Sequence, residues 1–84
     1  MDDVEAMREA VAKEYGFALY RRYSEPEAAH YLSVDLSTLK RWRRSGRTPF
    51  VNLGERQVRY LGIHIADMML WGEKWRDIPA ANSK

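Results

Sequence analysis

A capped helix start at residues 24–27 and a forced helix stop by residue 49 bound what the middle of this chain can become. Ser24 followed by Glu27 is a capping box, in which each side chain satisfies a backbone N–H of the other residue. Pro26 stands in the first turn, where its missing N–H costs nothing. Ala28, Ala29 and Leu32 continue as an apolar stripe and predict a helix over residues 25–32. The small alanines allow a close approach by a second helix. Ser33-Val34 makes a tight connection, and Asp35 is placed to cap a second helix over residues 36–44. Ser45-Gly46 stops that helix, and Pro49 forbids its continuation.

Two short helices joined by a turn of a few residues form a helix-turn-helix. After Pro49 the pattern changes. Phe50-Val51-Asn52-Leu53 and Gln57-Val58-Arg59-Tyr60 are β-prone runs around Gly54-Glu55-Arg56, which predicts a hairpin, or wing. Residues 63–71 return to helical spacing, with Ile65, Met68, Met69 and Trp71 on the apolar side. Upstream, Val4, Met7, Val11 and Tyr15 recur at three- and four-residue steps and predict a helix over residues 2–15, which Gly16 ends. This helix is expected to pack on the core; an arm for a second protomer is the alternative. Residues 17–23 read as a short extended entry. The expected fold is mainly α with a small β-hairpin wing: a winged helix-turn-helix with an extra N-terminal helix. Its expected parts are an accessory N-terminal helix at 1–17, the winged domain at 18–76 and a flexible tail at 77–84.

Eighty-four residues suit one small domain. The absence of cysteine excludes a disulfide framework and thiolate metal ligation, and fits a reducing compartment. No apolar run is long enough for a bilayer, and Asp2-Asp3 is not the start of a secretory signal. A cytoplasmic, nucleoid-associated protein with no membrane partner is therefore expected. The net charge of +2 conceals a strong asymmetry. Residues 34–60 carry Lys40, Arg41, Arg43, Arg44, Arg47, Arg56 and Arg59 against Asp35 and Glu55, whereas residues 1–33 are net acidic. A focused basic segment of this kind attracts a polyanion.

On a helical wheel Leu36, Leu39 and Trp42 define a buried side for residues 36–44. Ser37, Arg41 and Arg44 point the opposite way, with Thr38 and Lys40 on the flanks. Arginine makes bidentate contacts to guanine or pairs with phosphate, and first-turn hydroxyls with open N–H groups suit a phosphate oxygen. Arg43 falls near the core side and is expected to reach a backbone phosphate or a neighbouring carboxylate. The expected DNA-binding residues are Ser37, Thr38, Lys40, Arg41, Arg44 and Arg47, with Arg56, Gln57 and Arg59 from the wing. Double-stranded DNA is the expected partner. His30 and His64 lie in different elements without metal-ligand spacing, and no phosphate loop or nucleophile motif is present. No catalytic residue, metal, cofactor or small-molecule ligand is therefore expected.

Tyr23-Ser24-Glu25-Pro26-Glu27-Ala28-Ala29-His30-Tyr31-Leu32, Ser37-Thr38-Leu39-Lys40-Arg41-Trp42-Arg43-Arg44-Ser45-Gly46, Pro49, Leu53-Gly54 and Val58-Arg59-Tyr60 resemble the MerR-like winged helix-turn-helix group that includes excisionases of phages and mobile elements. The resemblance covers about Tyr23 to Trp71. It implies a DNA-architectural protein, a recombination directionality factor. Such a factor binds adjacent sites cooperatively, bends DNA and steers a site-specific integrase toward excision, with self-association on DNA. Transcriptional regulators of the same fold are the alternative it leaves open, and an interaction adaptor without DNA binding is the alternative of another class. The chain departs from the group in its N-terminal helix and in the aromatic segment Trp71-Gly72-Glu73-Lys74-Trp75, which is expected to close a small core; an interface is the other reading.

Overall fold

The structure, a computed structural model, describes residues 3–54 and 57–77. Ser24 lies in extended backbone, and its Oγ accepts the Glu27 N–H at 3.3 Å while Glu27 Oε1 accepts the Ser24 N–H at 2.9 Å. The capping box starts helix α2, Glu25–Leu32. The helix ends on Ser33 at φ 60°, the left-handed region, and Val34 donates its N–H back to the Ala29 carbonyl. That reversal swings the chain into Asp35 and α3, Leu36–Arg44. Asp35 occupies the N-cap position, but its carboxylate makes no capping bond.

The expected hairpin is present in shorter form. Strand β2, Val51–Asn52, pairs antiparallel with β3, Val58–Leu61. The end of the segment that reads as extended is a third strand, β1, Arg22–Tyr23; the sequence did not reveal its pairing with the other edge of β3, which gives the order β1-β3-β2. Tyr23 faces Tyr60 across this pairing, and both are buried. Leu61 then leads directly into α4, Gly62–Trp71, and a 3-10 turn, Gly72–Asp77. The fold is mainly α with a small antiparallel sheet, a winged helix-turn-helix. Residues 78–84, most of the segment expected to be a tail, lie outside the described residues.

The core forms where α2, α3, β3 and α4 converge. Ala28, Leu39, Tyr60, Ile65 and Ala66 are almost wholly buried there. Phe17, Tyr23 and Tyr31 form an aromatic cluster at its side, with ring centroids 5.2–6.4 Å apart. Helix α1, Asp3–Tyr15, packs on α4 with a face rotated from the expected one. Met7 and Tyr15 are exposed, whereas Arg8 and Ala12 are buried. The physical reason is a bidentate pair: Arg8 Nε and Nη2 donate to the two carboxylate oxygens of Asp67 at 2.8 and 3.0 Å. This pair brings a charged position of α1 to the interface and turns two apolar ones out. Half-buried Trp75 donates from Nε1 to the Arg47 carbonyl at 2.7 Å, which ties the 3-10 turn to the end of the helix-turn-helix.

Candidate nucleic-acid interface

Helix α3 buries Leu39 completely and Trp42 in part. Leu36, expected on the buried side, is instead 36% exposed. Arg43 occupies the inward direction beside it. Its Nε and Nη2 donate to Glu25 Oε2 and Oε1 at 2.7 and 3.2 Å, so the helix is held inward by an ion pair and Leu36 remains at the surface. Of the two partners the sequence allowed for Arg43, the structure shows the carboxylate.

Outward from this seam α3 presents the expected groups. Ser37, Arg41 and Arg44 are exposed, and Thr38 and Lys40 are half-buried on the flanks. Among the described residues no carboxylate lies within ion-pair distance of Lys40, Arg41 or Arg44, in contrast to Arg8 and Arg43. Arg47 is exposed just beyond the helix, with its N–H donated to the Trp42 carbonyl. In the wing, Gln57 is exposed and its backbone closes the turn, donating to Gly54 and accepting from Leu53. Arg59 is half-buried on β3, with Nη1 donating to the Val58 carbonyl at 2.9 Å. Arg56 lies outside the described residues.

The fold brings Lys40, Arg44 and Arg59 together on one groove of about 550 Å³ between α3 and β3, with Pro26, Leu36 and Val58 on its walls. Ser37, Thr38, Arg41, Arg47 and Gln57 do not line it. A second cleft of about 410 Å³ lies against Trp42 and is walled mainly by apolar groups such as Tyr31, Leu32, Val34, Met68 and Met69. Among the described residues Arg47 is its one charged lining group, so this cleft offers less to a polyanion than the basic groove. Among the described residues, no cluster of three or more histidine or carboxylate side chains is disposed to hold a metal.

The roles of two buried groups, Glu25 on the groove wall and Tyr60 behind it, were not legible in the sequence. Glu25 is 8% exposed and lies on the wall between the two basic elements, and its Oε2 also accepts the Tyr60 hydroxyl at 2.7 Å. Burial pushes the Glu25 carboxyl up. The hydrogen bonds from Arg43 and Tyr60, with the charges of Arg43 and Lys40, outweigh burial and hold it below the ordinary carboxylate value. Burial and then the Glu25 carboxylate push the Tyr60 phenol far up, so it remains a neutral donor. Nothing in periodicity links a first-turn glutamate to an arginine 18 residues later. A further basic group adjoins the site: the charges of Arg21 and Arg59 both help the Ser24 hydrogen bonds to hold Glu27 below its ordinary value. Arg21 and its neighbour Arg22 are exposed and carry positive charge from the groove toward β1.

Comparison with protein families matches residues 22–70, more than half of the chain, to a helix-turn-helix domain. Neither curated proteins nor solved structures gave a match. The matched span runs from β1 almost to the end of α4 and contains α2, α3 and the wing, so the chain belongs to the helix-turn-helix domain family.

Proposed function

We propose that the protein binds double-stranded DNA sequence-specifically, with α3 in the major groove and the β2–β3 wing on the neighbouring backbone or minor groove. The observation that carries this reading is the row of α3 cations that have no carboxylate partner among the described residues, set beside a groove that α3 shares with Arg59 of the wing. A nine-residue helix is about 13–14 Å long, a fit for a groove about 12 Å wide. Arg41 and Arg44 suit guanine edges, Ser37 and Thr38 suit a phosphate at the first turn, and Lys40, Arg47, Gln57 and Arg59 suit the backbone. The protein acts through binding alone, as a non-enzymatic factor without cofactor, in the cytoplasm on the nucleoid.

The finer role is that of an excisionase, which assembles cooperatively on attachment-site DNA and steers an integrase toward excision. The resemblance of Tyr23 to Trp71 to MerR-like excisionases supports it. Gel-shift titration at two salt concentrations, on attachment-site and promoter duplexes, tests both levels. Successive salt-sensitive complexes on the attachment site are expected. A single complex on the promoter alone removes the excision role, and the absence of any salt-sensitive shift removes DNA binding itself. Arg41→Ala is expected to weaken binding by about 1–3 kcal/mol and to relax sequence preference. An unchanged preference makes Arg41 a phosphate contact instead.

A further inference from the structure

We infer that Glu25 is a positioning residue that fixes the angle between α3 and the wing strand β3, so that both meet one duplex in register. The inference rests on the DNA-binding reading above. Glu25 is the first residue of α2, Arg43 belongs to the last turn of α3, and Tyr60 lies within β3. One carboxylate takes both partners: Oε2 accepts from Arg43 Nε and from the Tyr60 hydroxyl, each at 2.7 Å, and Oε1 accepts from Arg43 Nη2 at 3.2 Å. Three elements therefore meet at a single buried charge.

The surroundings leave this junction little freedom. Tyr60 is 1% exposed, and the Thr48 side chain near its hydroxyl is 3% exposed. The Phe50 ring, at the entry to the wing, lies 5.9 Å from the guanidinium carbon of Arg43. An apolar contact here would be non-directional. A planar guanidinium forked onto a carboxylate fixes direction as well as distance. Direct readout needs that precision, because recognition groups must be held to about 0.5 Å and 10–20°. The pair also commits the charge of Arg43 inward and leaves Lys40, Arg44 and Arg59 as the outward cations of the groove.

The test is a set of fluorescence-anisotropy titrations of the full chain, as wild type, Glu25→Gln and Tyr60→Phe. Each is titrated with a duplex that the wild type selects from a random pool, and with a scrambled duplex, at several salt concentrations. Tyr60→Phe changes no charge and removes the hydroxyl that joins the wing to the carboxylate. In both variants the ratio of selected to scrambled affinity is expected to fall by about tenfold, the discrimination carried by one misaligned bidentate contact. A merely structural role would lower the folded fraction, seen by circular dichroism, and reduce both affinities by one factor. An unchanged ratio in Tyr60→Phe overturns the inference, even where Glu25→Gln fails to fold, and leaves the DNA-binding reading intact. A wild type without salt-sensitive binding to any duplex overturns both.

Discussion

Arg8 and Asp67 keep only 9% and 8% of their side-chain surface exposed, yet both are charged. Removal of one partner strands the other charge, whereas replacement of both by apolar groups of similar size removes the problem. Arg8→Ala is therefore expected to cost about 3–5 kcal/mol, and the pair Arg8→Met with Asp67→Leu to remain near wild-type stability. Urea denaturation of the single and double variants checks this; a double variant as unstable as the single one shows that the pair has no apolar substitute. His64 sits beside this pair and accepts the Leu61 N–H through Nδ1 at 3.2 Å, which requires a neutral ring nitrogen. Burial pushes its pKa below the ordinary 6.5; Asp67 opposes that shift and Arg8 adds to it. The unfolded chain thus takes up the proton first as pH falls. The stability that His64 contributes is complete above about pH 6.5 and is lost as pH drops toward the folded value. Glu25, also lowered, contributes stability that is lost only below about 4.5. Between pH 7 and 5 the slope of stability with pH is expected to flatten in His64→Asn, whose amide oxygen stands where Nδ1 does and can accept the Leu61 N–H. A variant with the wild-type slope in urea titrations would place the proton uptake elsewhere.

At the scale of elements, the junction of β3 and α4 leaves no room for a side chain at Gly62. A Cβ added to Gly62 would collide with the Ala18 carbonyl and crowd the Leu19 Cα, backbone atoms that cannot rotate away. The same junction is closed by Gly62 N–H to the Arg21 carbonyl at 3.0 Å and Ile63 N–H to that of Leu19 at 2.8 Å. Alanine would gain about 1 kcal/mol in helix propensity, against about 1–3 kcal/mol or more for overpacking on rigid backbone. Gly62→Ala is therefore expected to lower the melting temperature, and a higher one would mean that the residue 18–19 segment yields. This contact also marks the boundary of what the sequence could tell. Helices α2 and α3 were legible because their signals are local: a capping box, an apolar period, a Ser-Gly stop. The outward row of α3 followed from the same period. The extended backbone at the end of residues 17–23 was legible, but its becoming strand β1 was not, because that depends on pairing with β3 far along the chain. Nor was the exposure of Leu36 or the rotation of α1, since each is decided by an ion pair between distant elements, Arg43 with Glu25 and Arg8 with Asp67. The groove that joins Arg59 to Lys40 and Arg44 required the folded arrangement itself.

At the scale of the whole fold, the described residues span 37 × 25 × 21 Å and rely on a thin core whose largest fully buried side chains are Tyr60, Leu39 and Ile65. A domain of this size keeps little stability in reserve. Helix α1 lies outside the family match yet contributes buried Ala12 and half-buried Val11 to that core. It also covers α4 and supplies the partner of Asp67. None of the residues lining the basic groove belongs to α1. The share of stability that α1 supplies is therefore separate from the basic groove, and truncation tests that separation. With α1 gone, Asp67 is opened to water and its charge is not stranded as it is in Arg8→Ala, so the loss is the apolar burial of Ala12 and Val11, on the order of 2 kcal/mol. For a domain this small, that loss lowers the melting temperature by about 8–16 °C. A chain beginning at Phe17 is thus expected to melt earlier, yet at a temperature where it is still folded to bind a selected duplex with wild-type affinity and salt slope. Calorimetry gives the first number and anisotropy the second. Unchanged melting would show that α1 only rests on the surface, whereas lost affinity in the folded, truncated chain would make α1 part of the assembly on DNA.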